Sequence, residues 1–360
     1  MRERRGDVDQ VLLAMPSLSR SQRRRIVDDL QPLGIPVLQV PSVEEITSGR
    51  TRIDDLRPVA IEELLGPGIA GQVVLVSGAG GSIGAELCRQ ILALRPRRLV
   101  LLERSEPSLY GIDQELRRSL PAGVELVAVF GSATDGQLVS RVLQEQAVQV
   151  VFHAAAYKHV PLVQANPLSG LANNVLGTLV LARAAARSGV ASFTLISTDK
   201  AVRPTNVMGA SKRAAELVIQ AAVLARGGDL FLLDMGEPVR ILDLAKQMVR
   251  LSGLSLRDAQ HPEGDIEIVC TGLRPGEKLY EELLIDAESE PTSHPLIFRA
   301  TERAIPPEQL WPQIEAMEAA IRCQDAHAAL DLLAQLVPEW QRGEVGGQPQ
   351  SAHPVEVAQD

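Results

Sequence analysis

The chain has 360 residues, with 36 lysines and arginines against 45 aspartates and glutamates, a formal net charge of −9, and 3% aromatic side chains. An acidic chain poor in aromatics repels polyanions and offers few stacking platforms, so no nucleic-acid partner is expected. At 45% apolar it can bury a sizeable core, its length suits two domains rather than one, and Cys88, Cys270 and Cys323 match no metal-ligand or redox spacing, so reduced thiols and no metal are expected.

Residues 1–10 are charged, unlike a secretory leader, and no stretch reaches the roughly 18 apolar residues of a membrane helix. The chain therefore reads as cytoplasmic, with membrane association as the alternative, and without a transmembrane segment. An arginine stripe (Arg2, Arg4, Arg5, Arg20, Arg23, Arg24, Arg25) fits a solvated helix face better than an anionic membrane surface. Strands at 11–15 and 35–40 flank a helix at 20–30, capped by Ser19 and Gln22. One such unit cannot cover both faces of its sheet, so residues 1–65 read as a partial accessory α/β region.

From residue 72 the alternation becomes regular. Strands are expected at 73–77, 99–102, 124–130, 148–152 and 192–196. Helices are expected after the first strand, where Ile83, Leu87, Ile91 and Leu94 share one face, and at 138–146, 171–187 and 207–225. This pattern predicts a doubly wound parallel α/β sheet of Rossmann type over 70–226, with ligands at the carboxyl ends of its strands. Beyond Gly227-Gly228, strands at 230–234 and 266–270 and helices at 241–251, from 279 and within 307–337 are assigned to a small C-terminal substrate-side region, 227–340. The polar stretch 343–360 reads as a disordered tail.

Gly78-Ala-Gly80-Gly81-Ser82-Ile83-Gly84 follows a buried strand and opens an amphipathic helix. In that context the glycines allow a tight turn and close approach of a pyrophosphate to exposed helix amides, and a merely glycine-rich turn is the weaker reading. Glu103, at the end of the second strand, is placed to accept bonds from the adenosine ribose hydroxyls. Arg104 and Ser105 beside it could instead receive a 2′-phosphate, so NAD is favoured over NADP. Ala154, Ala155 and Ala156 let a flat cofactor lie against the backbone. His153 and His159 suit structural roles better than catalytic ones. Asp199 and Lys200 form an acid/base pair if the segment lies in the cleft, and a surface ion pair otherwise; the Rossmann context favours the former.

These residues together match a family. The glycine turn, His153-Ala-Ala-Ala-Tyr-Lys-His-Val-Pro161, Asn173-Asn174, Ser197-Thr-Asp-Lys-Ala-Val202 and Pro204-Thr-Asn-Val-Met-Gly-Ala-Ser-Lys212 resemble the extended short-chain dehydrogenase/reductases. Within them the chain is similar to the nucleotide-sugar 4,6-dehydratases of polysaccharide biosynthesis that act on UDP-N-acetylglucosamine. The likeness continues through Asp234-Met-Gly-Glu-Pro-Val239 and Gly272-Leu-Arg-Pro-Gly-Glu-Lys278. It implies that hydride leaves the sugar C4 for bound NAD(P)+, that water is lost across C5 and C6, and that hydride returns to C6, giving a UDP-4-keto-6-deoxy sugar. By the same resemblance Lys200 takes the C5 proton, Asp199 protonates the departing C6 hydroxyl, Thr198 bonds the C4 oxygen and Lys212 holds the nicotinamide ribose. Lys158, His159, Asn174 and Arg274 would contact the UDP-sugar, and a homo-oligomer or an assembly with related dehydratases is expected.

Three departures stand out. Met208 replaces the tyrosine that reductases carry four residues before the lysine, as in the large dehydratase branch, leaving the C4-hydroxyl base to Thr198 or a water. Ser132 and Gln164 stand where the family has acidic residues. After Ala225-Arg226 a strand and a substrate-facing stretch are missing, which implies an internal deletion, alongside a truncated N-terminus. The expected function is thus a dehydratase, either active or impaired by that loss. The alternatives are an inactive cofactor-binding scaffold and a UDP-sugar epimerase, against which Met208 counts.

Overall fold

The structure, a computed structural model, describes residues 11–13, 37–39, 68–222, 230–233, 240–273, 276–278, 280, 289–292, 297–300 and 304–342. The described residues divide into two compact units: 11–13, 37–39 and 240–272 belong to one, and the rest to the other. In the first, β1 (Val11–Leu13) and β2 (Val37–Gln39) pair in parallel, Val11 opposite Val37, as a strand–helix–strand unit requires. The helix expected between them lies outside the described residues.

The second unit is built on five parallel strands: β3 (Val73–Ser77), β4 (Arg98–Glu103), β5 (Glu125–Phe130), β6 (Val150–His153) and β7 (Ser192–Leu195), in the order β5-β4-β3-β6-β7. Alternate side chains of each central strand enter different cores. Val74, Val76, Leu99 and Leu101 pack with α1 (Ser82–Ala93) and α2 (Glu106–Arg118). Val73, Leu75, Val100 and Leu102 pack on the other face with α3 (Gly136–Glu145). The sheet is therefore the doubly wound one expected. Asp135 starts α3 by accepting from the amides of Gln137 and Leu138. The sequence reading assigns no element to 103–123, although Ser105 caps α2, Pro107 lies in its first turn, and Leu109, Ile112 and Leu116 line its buried face.

Two short helices that the sequence reading does not resolve, α4 (Val160–Ala165) and α5 (Pro167–Leu171), follow β6. The helix expected over 171–187 is interrupted: residues Ala172–Leu176 wind as a π-helix before α6 (Gly177–Arg187), which joins the α3 side of the sheet. After β7 comes α7 (Val207–Ala222), twelve of whose sixteen residues are buried, so it is central to the core rather than peripheral.

Further strands lie outside the parallel sheet. β8 (Leu230–Leu233), β9 (Ser289–Pro291) and β10 (Ile297–Ala300) form a separate antiparallel sheet with β10 in the middle. In the first unit, α8 (Ile241–Leu251) forms as predicted. The strand expected at 266–270 does not form: Ile266 makes a lone bridge to Leu256. There the Asp265 carboxylate accepts from both the amide and the hydroxyl of Ser255, at 2.8 and 2.6 Å, so local side-chain bonds replace a ladder.

The C-terminal helices α9 (Pro307–Arg322) and α10 (Ala326–Leu336) correct the expected grouping. They do not share a separate region with residues 240–272; Leu310, Ile314, Leu330 and Leu333 join Val163, Leu171, Leu217 and Val218 in one core beside the parallel sheet. Among the described residues no helix is long and apolar enough to cross a membrane.

Candidate active site

The strand order reverses at β3, whose neighbours β4 and β6 run to opposite sides, so a crevice opens at the carboxyl ends of β3 and β6. The glycine turn sits there. Gly78 has φ +71°, and a Cβ on it would meet the backbone of Ala154 and Ala155 at 2.7–2.9 Å. A Cβ on Gly80 would lie 2.5 Å from Ser108 Cβ, and one on Gly84 2.0 Å from the Gly78 carbonyl oxygen. No side chain caps the start of α1 at Gly81, so its first amides are open to an anion. A cavity of about 470 Å³ lies against this turn. Gly81, Ser82, Ile83 and Gly84 form one wall; Ala154, Ala156, Tyr157, Lys158, His159, Leu162, Val163, Asn166, Ser169 and Gly170 form the other. The turn and the post-β6 segment are both anticipated by the sequence, whereas the wall from Leu162 to Gly170 is not, because nothing in those ordinary side chains marks a site.

Glu103 ends β4 with 8% of its surface exposed, and its carboxylate accepts from the amides of Gly80 at 3.1 Å and Ser105 at 2.9 Å. Ser105 is committed to capping α2, its hydroxyl 2.8 Å from that of Ser108. Arg104 reaches across to Tyr157, donating to its hydroxyl with the guanidinium carbon 5.2 Å from the ring centroid.

His153 is structural, as expected, and is 1% exposed. Thr178 donates its hydroxyl proton to the Asn174 carbonyl at 2.7 Å, so its oxygen accepts from His153 Nε2 at 2.9 Å. Nδ1 is then left bare and accepts from the Ser77 hydroxyl at 2.6 Å. Burial, helped by the nearby Lys212 charge, holds this imidazole down to about 3, against 6.5 for an ordinary histidine. The native state thus gains its full advantage from His153 above pH 6.5 and loses it as pH falls towards 3, by up to about 1.4 kcal/mol per pH unit. Urea unfolding between pH 7 and 4 should therefore show a flatter stability profile for His153→Gln than for the parent; parallel profiles would refute the assignment.

Asn174, assigned to the substrate by resemblance, is instead a buried clamp, 1% exposed. Its Oδ1 accepts from the Tyr157 amide at 2.8 Å, and its Nδ2 donates to the Tyr157 carbonyl at 3.1 Å and to Ser211 at 2.9 Å. It sits in the π-helix, where an extra residue in the turn re-aims a side chain. The clamp fixes the segment that carries Lys158 and His159, both of which line the cavity.

At the end of β7, Thr198 starts a short 3₁₀ turn and donates its hydroxyl to Asp199 Oδ1 at 2.8 Å. The same oxygen accepts the Lys200 amide at 2.8 Å and faces Lys200 Nζ at 3.4 Å. Burial pushes the Asp199 carboxyl up, but the bonds from Thr198 and Lys200 and the Lys200 charge hold it below the usual aspartate range. Lys212, on α7 and 6% exposed, donates to the Ile196 carbonyl at 2.6 Å, and burial pushes its ammonium down to about 8 against the pull of Glu216. Glu216 accepts from the Ser197 hydroxyl and pairs with Arg213, which also reaches Glu339 beyond α10. Thr198, Asp199, Lys200 and Lys212 thus gather around the end of β7 but do not line the glycine-turn cavity. Gly276 accepts from Thr205 and Asn206, each at 2.8 Å, and Lys278 donates to the Val202 carbonyl, so the 276–278 segment is docked on this cluster. Arg274 lies outside the described residues. Gln164 serves as an acceptor: its Oε1 accepts the Val207 amide at 3.0 Å, a bond an amide makes as well as a carboxylate.

The sheet order and the glycine crevice define a Rossmann-type protein. The sequence profile of the family described as "Polysaccharide biosynthesis protein" matches residues 74–222 and 213–302, and the chain belongs to that family. The capsular polysaccharide biosynthesis protein CapD of Staphylococcus aureus is 34% identical over 359 residues, covering 79% of this chain and 59% of that protein. The chain spans less than two thirds of this relative. A UDP-N-acetylglucosamine 4,6-dehydratase (inverting) of Campylobacter jejuni is 28% identical over 153 residues, 42% of this chain and 44% of that one. The X-ray structure of Pen from Bacillus thuringiensis shares the fold, with a TM-score of 0.54 at 22% identity over 67% of this chain and 96% of that one.

Proposed function

We propose that the chain is a nucleotide-sugar 4,6-dehydratase that acts on UDP-N-acetylglucosamine with a bound nicotinamide dinucleotide, NAD in preference to NADP. The observation that carries this reading is the hydrogen-bonded Thr198–Asp199–Lys200 cluster at the strand end beside the crevice, with Met208 where a reductase has its proton-exchanging tyrosine. The name of the Campylobacter relative supports the substrate. The crevice fits the cofactor: an uncapped helix start and glycines with no room for a Cβ suit a pyrophosphate, and the Glu103 oxygens keep lone pairs for ribose hydroxyls. The commitment of Arg104 to Tyr157 and of Ser105 to the α2 cap supports NAD over NADP. The chemistry such a cofactor supplies when bound is hydride uptake and return, so the sugar is oxidised and reduced in one cycle.

The protein's side chains handle the protons. Thr198, bonded to the C4 oxygen, passes the C4 hydroxyl proton along its existing bond to Asp199, a carboxylate ready to accept it. Asp199 then gives that proton to the departing C6 hydroxyl. Lys200 takes the C5 proton as the free amine, its ammonium first giving a proton to solvent, and returns the C5 proton when C6 is reduced. Lys212, with one N–H on Ile196, keeps others for the nicotinamide ribose.

A second reading, a cofactor-binding scaffold without turnover, is favoured by one observation: the family match comes in two pieces that meet at 213–222, just before the expected gap. Incubation with UDP-N-acetylglucosamine and NAD+ separates the readings. The strong alkaline absorbance of a 4-keto sugar is expected; bound cofactor without product at high enzyme selects the scaffold, a C4-epimerised UDP-sugar without net NADH selects an epimerase, and net NADH build-up selects a reductase running in the oxidative direction.

A further inference from the structure

Tyr157 has no part in the chemistry assigned so far, yet it faces the glycine-turn cavity and is the most firmly held residue of the post-β6 segment, its amide and carbonyl both bonded to Asn174. Its partner, Arg104, leaves the end of β4. In the sheet, β4 and β6 flank β3 on either side, so their ends stand about 10 Å apart, two strand spacings. A contact between the residues that follow β4 and those that follow β6 therefore has to cross the end of β3, where the glycine turn lies. The two side chains do meet there, through a hydrogen bond and a cation over the ring at 5.2 Å.

We propose that Arg104 and Tyr157 form a bridge over the phosphate-binding turn, one that a dinucleotide passes under to bind and that slows its departure. This rests on the dinucleotide reading above and adds to it a residue, Tyr157, and a role, retention. The anchorage of Tyr157 supports that role. Asn174 pins the Tyr157 backbone to the π-helix, so opening the bridge is left to the exposed Arg104 side chain. Retention also suits a reaction that returns its hydride within each cycle, because nothing is gained by exchanging the cofactor between turnovers.

The test uses NADH fluorescence with the full chain, first at equilibrium and then as a rapid displacement by excess NAD+. Parting one exposed cation–π contact and one hydrogen bond should speed NADH release by about fivefold to tenfold in Tyr157→Ala and in Arg104→Gln. Tyr157→Phe, which keeps the ring and is the more conservative change, should speed it less. The Arg104→Gln/Tyr157→Ala double variant should release NADH no faster than the faster single variant, because both substitutions remove the same contact. Unchanged release in the single variants overturns the bridge, and so does an additive double variant, which would mean that Arg104 holds the phosphates on its own. If the parent chain binds no NADH at equilibrium, the dinucleotide reading falls and takes the bridge with it.

Discussion

Replacing Gly84 by alanine should abolish dinucleotide binding and destabilise the chain by about 1–3 kcal/mol or more, the range for forcing atoms into a packed site. The added Cβ would lie 2.0 Å from the Gly78 carbonyl oxygen, and neither side can yield cheaply. Gly78 already sits at φ +71°, wedged against the backbone of Ala155, while Gly84 is buried in the first turn of α1. Any relief has to move the turn whose amides face the cavity. Gly111→Ala is the control: it lies within α2, and a Cβ there meets nothing within 4 Å. That change should leave binding intact and stabilise the chain by roughly 0.5–1 kcal/mol through helix propensity. Urea unfolding and NADH titration of both variants would check the pair. A Gly84→Ala chain that binds NADH like its parent would show that the turn does not hold phosphates.

Lys200→Met should cost about 10²–10⁴ in turnover, the usual contribution of a proton-transferring side chain, while NADH affinity changes little. Asp199→Asn should do the same for a different reason. The amide can still accept from Thr198 and from the Lys200 backbone, but it cannot take a proton and it removes the negative charge that faces Lys200 Nζ. Both are read as 4-keto product formed per bound cofactor. Full turnover in Lys200→Met would mean that the two charges are an ordinary surface pair and that the proposed dehydration is wrong.

The parallel strands are legible in the sequence because strands buried on both faces read as unbroken apolar runs; β3 falls where expected to the residue. The glycine turn is legible for the same contextual reason, lying between such a run and an amphipathic helix. The strand expected at 266–270 is misplaced because Ile-Glu-Ile-Val-Cys has the look of β structure, and no local pattern reveals that Asp265 and Ser255 satisfy each other first. Asn174 goes to the substrate through the family resemblance alone; that a π-helix turns it onto the Tyr157 backbone is a matter of one extra residue in a helical turn, which leaves no trace in composition. The far helices α9 and α10 read correctly as two helices, but a helix's apolar stripe does not name the surface it will cover.

That surface is α7, the helix that bears both Met208 and Lys212, and the packing ties the two ends of the second unit together. A premature stop anywhere before Pro307 would strip an oily flank from the middle of the molecule. The truncated product should not persist as a smaller folded protein; with that apolar flank bare it should clump, taking the Rossmann portion with it.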